Sequence, residues 1–294
     1  MLRPHMCSED RARLLGGLIG EMGFEAISAI ENDDPQYHAM ARLSRSLGPG
    51  PAMAIAILSA LVSYRLPLRG EEWWTRLAGY AASKRPPATP EEAAAIVEGF
   101  LRSIRGVPLL NQKLARLRRA VSGPARGAIG DLMAGPSSFP ASAARLVSSL
   151  SASLSQRPEA KTIVFAVKMA YYVYKASLGG RIDEPIREFR IPIPVDVRVA
   201  CLSISSLLCN AESPSELVSK PRPVQHAWSI IAEASGIPEL HLDALAWRVG
   251  WIPRDHRSVE DAQRAMAEVL SRYTTARLAR VASRELAARL CRRT

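Results

Sequence analysis

The chain has 294 residues, 48% of them hydrophobic, which is enough to bury one sizeable core or two joined lobes. Lys and Arg number 39 against 28 Asp and Glu, and the formal net charge of +11 indicates a polyanionic partner. No stretch reaches the roughly 18 apolar residues of a membrane span, and the N-terminus lacks a secretory signal. We therefore expect a soluble, cytoplasmic protein that makes no membrane contact.

Apolar residues recur at helical spacing along nearly the whole chain, which predicts an all-α fold. Ser8 is expected to cap a first helix that runs to about Ile30. Gly48-Pro49-Gly50 precedes an apolar helix. Thr89-Pro90-Glu91-Glu92 combines a capping box with proline at the first helical position, and it predicts a helix to about Ile104.

Amphipathic runs on either side of Ser155–Ala160 predict a helical hairpin over about residues 141–176. Arg187–Val195 alternates as a strand does, but Pro192 and Pro194 exclude a central strand, so an extended loop is expected. The tail over about residues 258–294 is predicted to be a basic helical extension. No linker or repeat divides the chain, so residues 1–294 are predicted to form a single domain. That domain could consist of one body or of two lobes.

A basic segment, Leu101–Gly130, contains seven cationic residues and no acidic one: Arg102, Arg105, Lys113, Arg116, Arg118, Arg119 and Arg126. Such a segment suits a phosphate backbone. A solvated helix face in an arginine-rich protein is an equally good interpretation.

Four cysteines, Cys7, Cys201, Cys209 and Cys291, show no spacing typical of zinc or iron–sulfur sites, so we expect no metal centre. The first interpretation is buried, inert thiols. Disulfide bonding is the alternative interpretation, because intracellular proteins of hyperthermophiles contain disulfides.

Lysine is used sparingly, since only six of the 39 cationic residues are lysines, and Lys161, Lys168 and Lys175 share one otherwise apolar helix. Lysine, unlike arginine, can lose its proton and act as a nucleophile. Lys161 is expected in the first turn, where the helix dipole disfavours an ammonium group, and Lys168 lies two turns further on the same face. Spacing alone would favour two lysines that snorkel from a core helix.

Pro192-Ile193-Pro194-Val195-Asp196 is the second informative stretch, because two prolines hold the approach to Asp196 stiffly. A carboxylate at a helix N-cap can stabilise a developing cation or deprotonate an amine. A lone aspartate at such a position is more commonly a plain N-cap.

Together these segments resemble a known family. Lys161-Thr-Ile-Val-Phe-Ala-Val-Lys168, followed by Ile191-Pro-Ile-Pro-Val-Asp196-Val-Arg198-Val-Ala200, resembles the archaeal 8-oxoguanine DNA glycosylase (AGOG) family of helix-hairpin-helix glycosylases. Further matching strings are Asp34-Pro-Gln-Tyr37, Ser63-Tyr-Arg-Leu66, Gly70-Glu-Glu-Trp-Trp74, Gly236-Ile-Pro238, Leu240-His-Leu-Asp243 and Trp247.

The resemblance implies two helical lobes with the active site between them. It implies that Lys161 is a Schiff-base nucleophile and that Asp196 is the carboxylate paired with it. It further implies a base pocket, with Phe165 and Trp247 stacking on the flipped base. The residues implied for that pocket are Gln36, Trp74, Phe165, Lys168, Pro194, Asp243 and Trp247.

The implied function is excision of 8-oxoguanine and β-elimination at the abasic site, without metal or cofactor. The partner would be damaged DNA, duplex or single-stranded, and we expect a monomer. Two alternatives stay open: a glycosylase of the same fold for another damaged base, and a non-enzymatic helical DNA-binding protein in which Lys161 is structural. Ser155–Ala160 replaces the glycine-rich hairpin of other helix-hairpin-helix glycosylases, and the tail beyond about Arg257 resembles nothing in the family.

Overall fold

A computed structural model describes residues 6–187 and 189–291 of the chain. Within these residues the chain forms eighteen α-helices, one 3-10 turn at Pro136–Ser138 and no strand, which confirms the predicted all-α class. The helices are α1 (Glu9–Met22), α2 (Phe24–Asn32), α3 (Pro35–Leu47), α4 (Pro49–Leu61), α5 (Gly70–Ala82), α6 (Pro90–Ser103), α7 (Leu110–Ser122), α8 (Ala125–Ala134), α9 (Phe139–Leu154), α10 (Lys161–Ser177), α11 (Glu184–Arg187), α12 (Val197–Ser205), α13 (Pro214–Ser219), α14 (Pro221–Ser235), α15 (Glu239–Val249), α16 (Ile252–Asp255), α17 (Val259–Leu270) and α18 (Ala276–Leu286). The end of the predicted tail, 292–294, lies outside the described residues.

The chain divides into two compact units. The first, called the central unit, is Asn32–Ile186. The second, called the terminal unit, combines Met1–Glu31 with Arg187–Thr294. The first and last of the described helices, α1 and α18, therefore belong to the same unit.

The centre of the central unit is α4, which is apolar along its length and buried from Ala52 to Leu61. α10 packs on α4, α3 and α9. A Cβ atom at Gly50 would lie 2.0 Å from the carbonyl oxygen of Met133, so only glycine allows α4 to approach α8 this closely. The helix that begins with Lys161 is thus supported on several sides by the core.

α9 and α10 are the two helices of the predicted hairpin, and they pack against each other. Ser155 ends α9 in the left-handed region, at φ 50°. The connection between the helices is therefore a tight turn without glycine, over residues 155–160.

In the terminal unit α1 packs on α14 and α18, and α12 packs on α13, α15 and α16. Ser8 accepts a hydrogen bond from the backbone nitrogen of Arg11, which confirms the predicted cap. The prediction of one helix to about Ile30 is wrong. Gly23, at φ 82°, ends α1 after Met22, and α2 starts at the next residue, because glycine enters this backbone region without steric cost.

The helix predicted to start after Thr89 is present as α6. The Thr89 hydroxyl accepts from the backbone nitrogen of Glu92 at 3.2 Å, and the Glu92 carboxylate accepts from the backbone nitrogen of Ala88 at 2.7 Å. The Thr89 hydroxyl thus satisfies one donor that the first turn leaves open, and the Glu92 carboxylate fixes the residue before the cap.

The expectation of inert thiols is wrong, because the cysteines form two disulfides, Cys7–Cys209 and Cys201–Cys291. The first joins the segment before α1 to the segment after α12, and the second joins α12 to the segment after α18. The partners are 202 and 90 residues apart in sequence, so spacing could not pair them.

Candidate active site

Lys161 is the first residue of α10, and its side chain is exposed. The preceding residue, Ala160, makes no side-chain hydrogen bond to the helix, so no cap covers this end of α10. Lys168 differs sharply, because it is 1% exposed and its Nζ lies 4.9 Å from the centroid of the Tyr172 ring. Of these two lysines, Lys161 is accessible to a large substrate, whereas Lys168 is buried within the protein and makes a cation–π contact.

Gln36 lies in the first turn of α3 and is 2% exposed. Its backbone nitrogen donates to Asp34 Oδ1 at 2.8 Å, and the Tyr172 hydroxyl donates to Asp34 Oδ2 at 2.7 Å. The buried Asp34 carboxylate thereby joins the start of α3 to α10. Sequence reasoning missed this role, although aspartate followed by proline is itself a helix-start signal.

Phe165 is one turn beyond Lys161 and is partly exposed. Its ring centroid lies 5.8 Å from that of Trp74, with the rings inclined at 64° in an edge-to-face contact. Trp74 on α5 is 1% exposed. Trp74 therefore supports the Phe165 ring by packing, while Phe165 retains surface that another ring could cover.

Asp196 is the N-cap of α12 in the terminal unit and is partly exposed. Its Oδ1 accepts from the backbone nitrogens of Arg198 at 2.8 Å and Val199 at 3.0 Å. Oδ2 accepts no hydrogen bond from any residue that the structure describes. The carboxylate is thus oriented through one oxygen, and the second oxygen is available to a substrate.

The approach to Asp196 is an extended loop from Phe189 onward, as predicted, but Arg187, the first residue of the predicted loop, ends α11. Glu188 lies outside the described residues. Pro194 is buried. The Gln225 side chain donates to the carbonyl oxygen of Ile193 at 3.2 Å. The loop is therefore stiffened by its prolines and anchored by a hydrogen bond from α14.

Trp247 on α15 is partly exposed and lies beneath a guanidinium group. The Arg198 Cζ is 3.8 Å from the centroid of the Trp247 ring, and Arg198 Nη1 donates to the Trp247 carbonyl oxygen at 3.0 Å. Asp243, one turn earlier on α15, is 1% exposed. Two residues before Asp243, His241 Nδ1 lies 3.1 Å from Glu31 Oε1, and both side chains are fully buried.

The predicted site residues thus fall into two groups. Five lie on helices of the central unit: Gln36, Trp74, Lys161, Phe165 and Lys168. Of these, Lys161 is exposed, Phe165 is partly exposed and the other three are buried. Those in the terminal unit lie on α12, α15 and the loop before α12: Pro194, Asp196, Asp243 and Trp247. The contact of Arg198 with Trp247 was not predicted, although Arg198 is part of a matching string.

The described residues contain no group of three or more His, Cys, Asp or Glu side chains placed to hold a metal ion. None of their helices is long and apolar enough to cross a membrane.

Comparison with known proteins supplies the class. The sequence model of the AGOG family, described as N-glycosylase/DNA lyase, matches residues 16–282. The chain is 40% identical over 276 residues to an N-glycosylase/DNA lyase of Aeropyrum pernix, a match that covers 93% of this chain and 92% of the relative. It is 35% identical over 215 residues to one of Methanopyrus kandleri, covering 73% and 79%. These matches define an enzyme of the N-glycosylase/DNA lyase class.

A solved structure agrees with this assignment. The chain resembles Pa-AGOG, the 8-oxoguanine DNA glycosylase from Pyrobaculum aerophilum solved with 8-oxoguanosine, at a TM-score of 0.71 and 26% identity. The match covers 90% of this chain and 96% of that chain. The chain belongs to the AGOG family.

The extent of the family match corrects the interpretation of the tail. The match continues to residue 282, so α17 and part of α18 belong to the family pattern rather than to an extension outside it. α17 and α18 pack on each other, with Met266, Leu270, Ala279 and Ala282 buried. Such core positions carry no motif, which is why the sequence alone did not reveal them.

Proposed function

We propose that this enzyme excises 8-oxoguanine from DNA and then cleaves the strand through a Schiff base on Lys161. The observation that carries the proposal is the exposed lysine at the first position of α10, in a chain of the N-glycosylase/DNA lyase family. The resemblance to Pa-AGOG, whose structure was solved with 8-oxoguanosine, supports 8-oxoguanine as the base.

In the proposed reaction the Lys161 amine, in its neutral form, attacks C1′ of the damaged nucleotide. The glycosidic bond breaks, and the base leaves with the bonding electron pair and takes up a proton. Asp196, through Oδ2, stabilises the positive charge that develops on the sugar. The attached nitrogen gives up one proton to a base, and the sugar ring then opens as O4′ takes up a proton, which leaves a protonated imine at C1′. Removal of a C2′ proton then expels the 3′ phosphate by β-elimination.

For base recognition we propose that the nucleotide is extruded from the duplex and that Phe165 and Trp247 stack on it. 8-Oxoguanine differs from guanine in carrying a hydrogen on N7, so discrimination requires a hydrogen-bond acceptor. The Gln36 amide oxygen or a nearby backbone carbonyl would serve, because a buried acceptor left unpaired penalises guanine. If the Gln36→Ala variant prefers 8-oxoguanine over guanine as strongly as wild type does, Gln36 does not have this role.

The test is incubation with duplexes that contain 8-oxoguanine, with and without borohydride. Borohydride reduces the imine to a stable amine, so wild-type enzyme should give a covalent protein–DNA adduct. Lys161→Ala should give neither adduct nor strand break, whereas Lys220→Ala, which removes an exposed lysine of the terminal unit, should behave as wild type. An adduct that persists in Lys161→Ala would refute the assignment.

Two additional measurements separate the two alternative functions. A panel of duplexes with deaminated or alkylated bases tests for another preferred lesion. A DNA-binding protein without activity would show salt-dependent binding, with a slope of about −0.9 per phosphate contacted, and no nicking of any duplex.

A further inference from the structure

The turn between α9 and α10 is held by a side chain from α7. Arg116 Nη2 donates to Gln156 Oε1 at 2.6 Å and to Thr162 Oγ1 at 2.7 Å. The Thr162 hydroxyl donates in turn to Gln156 Oε1 at 3.1 Å. The three side chains form a closed ring of hydrogen bonds, called the Arg116 ring below. It connects α7, the hairpin turn and the first turn of α10.

The hairpin turn depends on side chains because it contains no glycine. The backbone nitrogen of Gln156 donates to the carbonyl oxygen of Ser151 at 3.1 Å, and the Ser151 hydroxyl donates to the carbonyl oxygen of Gln156. The Gln156 side chain is then held by the Arg116 ring. This residue is therefore fixed through both its backbone and its amide group.

Arg116 is an unusual choice for such a position. It is 8% exposed, and its Nε has no hydrogen-bond partner among the residues that the structure describes. Burial lowers its pKa below the ordinary value for arginine. Arg102 and Arg126 of the same basic segment pair with carboxylates, but within the described part of the chain Arg116 does not.

A cation buried without a carboxylate costs stability, and an apolar side chain would fill the space at lower cost. Both interpretations of the basic segment, a phosphate contact or a solvated face, need exposed side chains, and they do not account for Arg116. What its guanidinium group does provide is two directed donors, one on the turn and one on Thr162. Thr162 is the residue next to Lys161.

We infer that Arg116 is a positioning residue for the reaction of Lys161, which it serves by holding the start of α10 in register with the hairpin turn. The inference rests on the proposed function of Lys161. The lysine side chain has four rotatable bonds and is exposed, so the protein controls its reach chiefly through the backbone at its base. Displacement of a reacting group by about 1 Å costs on the order of a hundredfold in rate.

The test uses Thr162→Val, which removes the hydroxyl and keeps the shape, beside Thr162→Ser, which keeps the hydroxyl. The substrate is a duplex with a preformed abasic site, so that base recognition is bypassed. We expect the single-turnover rate of the borohydride-trapped adduct to fall about tenfold or more in Thr162→Val and to stay within about threefold in Thr162→Ser. Arg116→Met should lose rate as Thr162→Val does, and Arg13→Met, which removes an exposed arginine of α1 outside the basic segment, should not.

Two other measurements distinguish positioning from a structural or DNA-binding role. The dissociation constant for a duplex with a tetrahydrofuran abasic analogue should be unchanged in Thr162→Val, and the thermal midpoint, lowered by the lost hydrogen bond, should stay above the assay temperature. A wild-type rate in Thr162→Val, or weaker binding with an unchanged rate, would overturn the inference. If Arg116→Met does not fold, the Thr162 pair still decides.

Failure of the proposed function has a different signature. The wild-type adduct would then be absent, or it would persist in Lys161→Ala. Failure of the present inference leaves the adduct on Lys161 and changes only the comparison of Thr162→Val with wild type.

Discussion

The guanidinium carbon of Arg198 lies 3.8 Å from the centroid of the Trp247 ring. Arg198 follows the N-cap residue of α12, Asp196, by two positions. A guanidinium at this distance covers one face of the indole, so a base can stack only on the other. A single side chain of α12 thus orients Trp247, and the same helix carries the proposed catalytic carboxylate.

Replacement of Arg198 by methionine should therefore weaken base binding more than strand cleavage. Loss of a cation–π contact of about 0.5–2 kcal/mol corresponds to a roughly 2- to 30-fold higher KM for duplexes containing 8-oxoguanine. The cleavage rate at a preformed abasic site should stay near that of wild type. Arg254→Met is the matched control, because Arg254 lies 4.4 Å from the Trp251 ring rather than over Trp247. Equal KM values for Arg198→Met and wild type would contradict the stacking role of Trp247.

Tyr172→Phe tests the link between α10 and the start of α3. The variant removes the hydrogen bond to the buried Asp34 carboxylate and should lower the free energy of unfolding by about 1–3 kcal/mol, measured by urea denaturation. Tyr64→Phe, which removes an exposed contact of 3.4 Å to Gln112, should change stability by less than about 0.5 kcal/mol. Similar losses of unfolding free energy in both variants would show that the buried hydrogen bond stabilises the protein no more than the exposed one.

Lys113 makes stability depend on pH in the alkaline range. It is fully buried, its Nζ donates to the Tyr64 carbonyl oxygen at 2.7 Å, and burial lowers its pKa to about 8. Between pH 8 and the ordinary lysine value of 10.5 the unfolded chain binds more protons than the folded one, so this lysine adds stability as pH rises. The cost of burying the charged lysine is therefore fully present below pH 8 and disappears as the pH rises to 10.5.

The free energy of unfolding of wild type relative to Lys113→Met should therefore increase from pH 7 to pH 10, by on the order of 2 kcal/mol. Denaturation at several pH values measures this difference. Lys84→Met, which removes an exposed lysine of the same unit, should show no such trend. A flat difference for Lys113→Met would mean that this lysine keeps its usual affinity for protons.

The disulfides predict an enzyme without reactive thiols. Thiol titration of the unreduced, unfolded protein should find no thiol group from its four cysteines. Removal of the Cys201–Cys291 bond by a double alanine variant should lower the free energy of unfolding by about 2–5 kcal/mol. A double alanine variant of Cys7 and Cys209 is the matched comparison, and a loss in the same range is expected. Titration of two or four thiols in the unreduced enzyme would show that one or both bonds do not form.

Features that depend on near neighbours in sequence were predictable. The caps at Ser8, Thr89 and Asp196 and the extended loop before α12 follow from interactions within about four residues, or from the fixed φ of proline. The strings Lys161–Lys168 and Ile191–Ala200 were likewise readable as a family resemblance, because such a resemblance depends on residue type and order.

What depends on distant partners was decided only by tertiary structure. Arg116 meets its two partners 40 and 46 residues away, and Tyr172 meets Asp34 across 138 residues. Lys161 and Lys168 share a helix and a residue type, yet one is exposed and the other buried, because α10 lies against the core beyond its first turn. Local sequence carries the propensities of helices and caps, but burial and long-range pairing arise when those helices pack.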